Sequence, residues 1–369
     1  MGFGDHFAKA CILLARRWDM TNTKDNQAHQ RKDAHLDLAK APASQAQITH
    51  PFDSVTLMHQ ALPTTHLAEI SLETRFCNTM VASPLFIGAM TGGTERADKI
   101  NHALAEVAAD QTIALALGSQ RASLSQRRSQ HSLRAAHPNL VLIGNLGITQ
   151  LCATGGLDMA MRAIEDIEAN AMAIHLNPLQ EAAQIEGDHD WRGTQDALAD
   201  FIAKSPVPVI VKEVGAGIHG TLAALLAGMG AAYIDIAGLG GTNWTRIEVA
   251  RRQETQEDDE LFTPFLDWGI DTKSAIIGAR AALPQGQLIA SGGIRHGLDG
   301  AKCLALGADM ACAAGPFLRA LEDETGTLNQ ARLGETIDDW HKQLRLACFL
   351  TNSAKVTELR HPDNIFVKS

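Results

Sequence analysis

From Pro84 onward, apolar residues fall in short runs that are separated by longer stretches with helical character. Several runs are apolar throughout rather than alternating, which is typical of parallel strands covered on both faces. Strands alternating with helix-length stretches predict a series of βα units. The predicted strands are residues 84–90, 113–118, 140–146, 171–176, 208–214, 231–237, 288–291 and 308–313.

Eight βα units in series close into a barrel more readily than they form an open sheet. The sequence therefore predicts an α/β fold, a (β/α)8 TIM barrel. Barrels of this kind often exceed 250 residues as one domain, so 369 residues are compatible with a single core. We divide the chain into an N-terminal extension and arm, residues 1–50, and a barrel with a C-terminal helix, residues 51–369.

Composition narrows the class of protein. A net charge of -10 argues against a nucleic-acid partner, because proteins that neutralise phosphates along a duplex show a basic face. The six cysteines lie far apart and predict neither a disulfide framework nor a zinc site, which favours a reducing, cytoplasmic compartment. No stretch reaches the roughly 18 apolar residues that a membrane span needs. The apolar run at residues 10–15 precedes its arginines, which reverses the order of a secretory signal.

Polar residues and glycines follow each predicted strand, at the face where barrel enzymes carry their active sites. The two last strands give the strongest pattern, because loops after strands seven and eight commonly bind phosphate through backbone N–H groups. Arg295 would add a charge-assisted contact. The alternative is that these glycines only make tight turns. The motifs in chain order are GAMTGG, GSQR, NLG, HLNPLQE, KEVGAG, GLGGTNW, SGGIR and AAGP.

Lys212 ends an apolar strand and precedes a glycine turn, which favours a position beside an electron-rich ring over a solvated surface position. His175 and Asn177 are two residues apart and are expected to share a strand face. After Pro178 the chain turns and brings Gln180 and Glu181 over the mouth. Glu181 is an oxygen ligand suited to Mg²⁺. As a lone residue it would be interpreted first as a first-turn acid that complements the helix dipole, and only the neighbouring amide and imidazole favour the metal ligand.

Two further segments carry weaker signals. Arg31 and Lys32 form a basic pair in an otherwise acidic chain, a pattern that is more often a solvated helix face. After the sixth strand, an acidic run at residues 257–260 precedes an aromatic patch. A long loop on this face is either a lid or a solvated acidic loop.

Together these motifs resemble those of the type 2 isopentenyl diphosphate isomerases, over Arg31 to about Leu318. The resemblance implies that FMN lies on the barrel mouth, that residues 1–50 include a substrate-binding arm and that the chain forms a homo-oligomer, a tetramer or an octamer. It does not account for the extension before about Lys24. Implied contacts of FMN are Ala89, Met90, Thr91, Ser119, Asn145, Lys212, Thr242, Gly292, Gly293, Arg295, Ala314 and Gly315.

The resemblance also implies how the substrate and the metal are bound. Glu181 would bind Mg²⁺, and Gln180 would lie over the allyl carbons as a catalytic residue together with Lys212. Reduced nicotinamide, NADPH, would serve to reduce the flavin. The substrate would be a small-molecule diphosphate. Its implied contacts are Arg31, Lys32, Ser119, Arg121, His175, Asn177 and Gln180.

The implied reaction converts isopentenyl diphosphate into dimethylallyl diphosphate by a 1,3 allylic proton shift with no net redox change. An unactivated alkene is a very weak base, so its protonation needs a strong acid in a dry pocket. Reduced FMN can supply both the acid and a nearby negative charge. The diphosphate and Mg²⁺ would orient the alkene through contacts remote from the reacting carbons.

Three alternatives remain open. A 2-hydroxy-acid oxidoreductase on the same barrel needs a histidine base, and His296 lies one step into its loop. A purine-nucleotide dehydrogenase needs a cysteine in the loop after the sixth strand, where none occurs. A phosphate-binding barrel without catalytic activity is opposed only by Gln180 and Glu181 with the basic pair of the arm.

Overall fold

A computed structural model describes residues 36–90, 92–126, 128–254 and 260–367 of the protein. Eight short parallel strands form a closed barrel, in which the last strand pairs with the first. The predicted eight strands and the predicted fold class are confirmed. In chain order the barrel strands are β1 Leu85–Ile87, β2 Leu115–Ala116, β3 Leu142–Gly147, β4 Ala171–His175, β5 Val209–Lys212, β6 Tyr233–Asp235, β7 Leu288–Ala290 and β8 Met310–Ala313.

Helices connect these strands, as βα units require. The longest helix follows β8 and packs against the first helix and against the two helices that flank β8. The helices are α1 Glu95–Asp110, α2 Arg121–Ser125, α3 His131–Ala136, α4 Ile148–Cys152, α5 Gly156–Ile167, α6 Pro178–Ala183, α7 Thr194–Lys204, α8 Gly220–Gly228, α9 Trp244–Glu254, α10 Thr272–Ala282, α11 Gly297–Leu306, α12 Gly315–Leu321 and α13 Gln330–Leu350. Short 3₁₀ helices occupy Pro42–Ser44, Pro51–Ser54, Leu67–Glu69, Glu260–Phe265, Val356–Arg360 and Pro362–Asn364.

Alternate residues of a barrel strand pack into two different apolar layers. Ala171 and Ala173 of β4 lie in the cluster that fills the barrel. Met172 and Ile174 lie in the cluster between the barrel and its helices. Each fully buried large apolar side chain contributes roughly 1.5–3 kcal/mol. Burial on both faces explains why the runs are apolar without alternation.

The amino-terminal end of the barrel is closed by a hairpin of strands Thr74–Phe76 and Thr79–Val81. Phe76 packs on Phe86 and on Tyr233, with ring centroids 5.1 Å apart in both pairs. The Tyr233 hydroxyl accepts a hydrogen bond of 3.1 Å from the N–H of Cys77. With this end filled, the opposite end of the barrel remains for a site.

The segment that precedes the barrel is held by a cluster of ion pairs, which we call the Glu322 cluster. The Glu322 carboxylate accepts hydrogen bonds from Lys40 Nζ at 2.7 Å and from Arg96 Nε at 2.9 Å. Arg96 Nη2 also donates to Asp37 at 2.8 Å. Burial would raise the pKa of Glu322, but its hydrogen bonds with Arg96 and Lys40 outweigh burial and lower that pKa.

The same segment is joined to the loop after β6 and, further on, to the end of the chain. The N–H of Ala46 donates to the carbonyl of Gly241 at 2.8 Å. Strand Val55–Leu57 pairs antiparallel with strand Ile365–Val367. Residues 37–46 are therefore fixed beside the face that carries the strand ends.

Among the described helices, none is both long and apolar enough to cross a membrane. The five cysteines within the described ranges are free thiols: Cys77, Cys152, Cys303, Cys312 and Cys348.

Candidate active site at the barrel mouth

The carboxyl ends of the barrel strands surround a cavity of about 340 Å³. Residues at or just after every barrel strand line it, as expected for an active site on this fold. Leu36, Ala39 and Gln45, from the segment before the barrel, line it as well. The cavity therefore lies between the strand ends and the segment held by the Glu322 cluster.

Three polar side chains stand at one level on neighbouring strands. His175 is the register partner of Lys212, and Lys212 is the register partner of Asp235. His175 Nδ1 and Asn145 Oδ1 share a hydrogen bond of 2.8 Å. Burial, with the nearby charges of Lys212 and Arg121, lowers the pKa of His175 to about 3. His175 is therefore a neutral ring at physiological pH.

Lys212 is fixed by the turn that follows it. Its Nζ donates to the carbonyl of Glu213 at 2.5 Å. The Glu213 carboxylate accepts the N–H groups of Val214 and Gly215, both at 2.6 Å, which holds the turn in shape. Burial raises the pKa of Asp235, and the charge of Lys212 and the hydrogen bond with the Ser291 hydroxyl only partly offset this rise. The site thus presents a lysine ammonium from a rigid strand end.

The loop after β7 has the geometry of an anion-binding turn. Gly292 and Gly293 have φ of 95° and 75°, the left-handed region that glycine tolerates. Their carbonyls are engaged by Thr272 Oγ1 and by His50 Nε2, both at 2.8 Å. None of the hydrogen bonds in the described part of the chain uses the N–H groups of these two glycines or of Gly315. These donors suit a phosphate.

Arg295, the predicted phosphate cation, has acidic partners in the structure. Its Nε donates to Asp299 Oδ2 at 2.7 Å, and its Nη2 donates to Asp299 Oδ1 and to Asp53, both at 3.1 Å. The Asp299 side chain is fully buried. The fork between the guanidinium and the carboxylate fixes the loop on the N-terminal turn of α11.

A polar cluster on α6 and α9 lies beside the cavity. Gln180 Nε2 donates to Glu248 Oε1 at 3.1 Å, and Asn177 Nδ2 donates to Gln180 Oε1 at 3.2 Å. Glu248 is completely buried and also accepts a hydrogen bond from Arg251 Nη1 at 2.5 Å. Both ends of the Gln180 amide are therefore fixed, with the nitrogen towards Glu248.

Asn177 Nδ2 also donates to Glu181 Oε1 at 3.1 Å. Among the buried side-chain atoms that the structure describes, Asn177 Oδ1 has no hydrogen-bond partner. We expected His175 and Asn177 to share a face. They do not, because β4 ends at His175 and Asn177 precedes α6 with its side chain bonded to that helix.

The predicted site residues fall into three groups. Arg31, Lys32 and Thr91 lie outside the described residues. Arg121, Asn177 and Glu181 are described but do not line the cavity. Those that line it are Ala89, Met90, Ser119, Asn145, His175, Gln180, Lys212, Thr242, Gly292, Gly293, Arg295, Ala314 and Gly315.

Sequence reasoning missed three polar or aromatic residues of this region. Glu248 contacts Gln180, and Trp244 and Arg319 line the cavity. All three belong to helices rather than strand ends. One available signal was spacing: Glu248 follows Trp244 by four residues, and Arg319 follows Gly315 by four, so each pair lies on one helix face.

Within the described residues, no group of three or more His, Cys, Asp or Glu side chains could hold a metal ion. The Glu181 carboxylate and the unpartnered Asn177 Oδ1 are nevertheless hard oxygen donors. Mg²⁺ takes one or two protein carboxylates and completes its shell with water and substrate phosphates. The Glu181 carboxylate fits one such ligand position, whereas Asn177 turns its Nδ2 and not its Oδ1 towards Glu181.

Comparisons with known proteins agree with the fold. A family model described as FMN-dependent dehydrogenase matches residues 157–363. Mandelate oxidase with (S)-2-phenylpropionate superposes with a TM-score of 0.63 at 16% identity, over 92% of this chain and 97% of that one. A mandelate oxidase variant with a monooxide FMN adduct gives a TM-score of 0.61 at 17% identity, over 91% and 92%. At such identities the likeness shows the fold alone.

Sequence relatives are much closer. An isopentenyl-diphosphate delta-isomerase from Pseudescherichia vulneris is 41% identical over 352 residues, 94% of this chain and 99% of that protein. One from Xanthobacter autotrophicus is 43% identical over 337 residues, 90% and 96% of the two chains. One from a Nostoc species is 36% identical over 348 residues, 94% and 98% of the two chains. This chain, with an FMN-dependent dehydrogenase barrel, belongs to the isopentenyl-diphosphate delta-isomerase family.

Proposed function

We propose that this protein interconverts isopentenyl diphosphate and dimethylallyl diphosphate by a 1,3 allylic proton shift, as a step of isoprenoid biosynthesis. The observation that carries the proposal is identity of about 40% to named isomerases over nearly the whole chain. FMN, held in reduced form with NADPH as the reductant, is the proposed cofactor.

The cavity has the features that FMN needs. The N–H donors of Gly292, Gly293 and Gly315 suit its phosphate, and Lys212 stands at the strand ends where the ring would lie. When bound and reduced, FMN would supply the acid that protonates the alkene and the base that removes the allylic proton. Lys212 would balance the negative charge of the reduced ring.

Gln180 and Glu248 are the proposed residues for orienting the reacting carbons. A neutral amide cannot protonate an alkene, so Gln180 would position the substrate or relay a proton. Its fixed orientation, nitrogen towards the buried Glu248 and oxygen towards Asn177, limits the substrate poses that it can accept. Such pre-orientation lowers the entropy cost of reaching a reactive geometry.

The diphosphate would be held at the rim. Glu181 is the proposed ligand of Mg²⁺, which would also take oxygens of the diphosphate. Ser119, Arg121 and His175 are the proposed diphosphate contacts within the described residues, and Arg31 and Lys32 are those of the arm. A bound diphosphate would raise the low pKa of His175, because a nearby anion favours the charged ring.

Oxidation of a 2-hydroxy acid is the competing activity, since the mandelate oxidases share the fold. It needs a histidine base at the mouth. His296 does not line the cavity, and its Nδ1 accepts the N–H of Asp299 as a helix cap at 3.2 Å. His175 does line the cavity, but from the end of β4, and burial keeps the pKa of its ring at about 3, which makes it a weak base. These positions favour the isomerase.

We also propose a cytoplasmic location and a homo-oligomer, a tetramer or an octamer. The free cysteines of the described ranges are compatible with a reducing compartment. Size-exclusion chromatography with light scattering would measure the assembly directly.

The test is an anaerobic assay of isopentenyl diphosphate with FMN, Mg²⁺ and a reductant in deuterated water. We expect turnover only with reduced flavin, with solvent deuterium in the product. Gln180→Ala and Glu181→Ala should each lower turnover by roughly 100-fold or more. Gln285→Ala, an exposed glutamine at the amino end of β7, is the matched control and should be unchanged. Equal turnover with oxidised flavin, or no deuterium in the product, would refute the proposal.

A further inference from the structure

The charge at the phosphate end of the cavity does not come from Arg295. Its guanidinium faces the fully buried Asp299 through two hydrogen bonds and also contacts Asp53. One cation against two carboxylates leaves this group with no positive charge to offer. A dianionic phosphate beside it needs another cation.

Arg319 on α12 meets that need. It lines the same cavity as Arg295. A Cβ built on Gly315 would lie 3.0 Å from Arg319 Nη1 and 3.6 Å from its Cζ and Nη2. The guanidinium therefore lies against the glycine turn after β8, and the absence of a side chain at position 315 makes room for it.

Arg319 also lacks the acidic partners that Arg295 has. No ion pair or side-chain hydrogen bond in the described part of the chain uses its guanidinium. Burial lowers its pKa, and no neighbouring carboxylate counteracts that shift. A cation without a counter-ion gains more from an incoming anion than a cation that is already paired.

We infer that Arg319 is the residue whose charge binds the phosphate of FMN, while Arg295 and Asp299 act as a neutral scaffold for the neighbouring loop. The inference rests on the proposed function in that FMN is the ligand of the cavity. It adds a binding residue that lies on a helix and follows no barrel strand directly. The N–H groups of the glycine turns supply the remaining donors.

The test compares FMN with riboflavin, which has the same ring and no phosphate. The full chain, freed of flavin, is titrated with each ligand while flavin fluorescence is followed. Arg319→Met should weaken FMN binding by roughly 10- to 100-fold and leave riboflavin binding unchanged. Arg319→Lys should restore part of the loss. Inorganic phosphate should compete with FMN on the native chain and much less on Arg319→Met.

Other outcomes separate this inference from the proposed function. Unchanged FMN affinity in Arg319→Met, or an equal loss for FMN and riboflavin, would overturn it. It would also be overturned if the variant lost affinity for the substrate diphosphate while keeping FMN. If Arg319→Met weakened FMN binding but not riboflavin binding, as predicted, and the native chain still never isomerised the substrate, only the proposed function would be refuted.

Discussion

Replacing Glu248 by glutamine should disorient Gln180 and lower kcat with little change in KM. In the native site Glu248 accepts from Gln180 Nε2 on one oxygen and from Arg251 Nη1 on the other. An amide at position 248 has one acceptor and one donor. Because Gln180 and Arg251 both donate, the amide nitrogen of the variant must face one of these two donors and cannot accept from it.

The expected size follows from burial. The Glu248 side chain is fully buried, so water cannot replace the lost contact. A hydrogen bond to a charged group is worth roughly 1.5–3 kcal/mol, which corresponds to about a 10- to 100-fold smaller population of correctly oriented Gln180. Because Glu248 does not line the cavity, substrate affinity should change little.

The assay is steady-state isomerisation by the native chain, Glu248→Gln, Gln180→Ala and the double variant. If Glu248 acts through Gln180, its substitution should have little further effect in the Gln180→Ala background. Glu186→Gln is the control, since Glu186 contacts the same Arg251 at 3.3 Å but is more exposed. If Glu248→Gln kept its full effect in the Gln180→Ala background, or if KM rose while kcat stayed constant, Glu248 would not act through Gln180.

Three further predictions concern anchoring, stability and pH. Glu322→Gln should raise the KM for the diphosphate several-fold and speed proteolysis near Lys40. It should lower the free energy of unfolding by only about 1–2 kcal/mol, because Lys40 and Arg96 are only partly buried. Arg134→Met should lower Tm without changing flavin affinity. The buried Arg134 donates to five backbone carbonyls and one asparagine side chain away from the cavity, so its loss should lower the free energy of unfolding by roughly 2–4 kcal/mol. Burial lowers the pKa of His341 from 6.5 to about 4. Between pH 6.5 and pH 4 the unfolded chain therefore binds this proton before the folded chain does, which lowers the free energy of unfolding by up to about 3 kcal/mol. Tm measured against pH should therefore fall less steeply for His341→Gln than for the native chain, and parallel curves would contradict the assignment.

The barrel could be predicted because each strand is buried on both faces, which produces a short continuous apolar run in the sequence. The ends of the strands were less predictable. The second strand was expected over residues 113–118, and only Leu115–Ala116 pair in the barrel. The N–H of Leu117 still donates to the carbonyl of Ile143 at 2.9 Å, so pairing with the neighbouring strand fades over a few residues, which hydrophobicity alone does not reveal.

The site was predictable where it follows strands and not where it comes from helices. His175, Lys212 and Gly292 were expected at the mouth because parallel strands place their carboxyl ends on one face. Glu248 and Arg319 reach the site only because α9 and α12 turn particular faces inward, and this rotation depends on tertiary packing. The neutralisation of Arg295 by Asp299 does not follow from helical spacing, because Arg295 precedes α11 and only Asp299 lies on that helix.

The antiparallel pairing of residues 55–57 with residues 365–367 links distant parts of the chain at the periphery of the enzyme. Removing residues 365–367 would take hydrogen-bond partners from a backbone stretch only ten residues beyond Gln45, which lines the cavity. A fusion placed directly after residue 367 would therefore act on this strand pair, and a long flexible linker there should leave the pairing undisturbed.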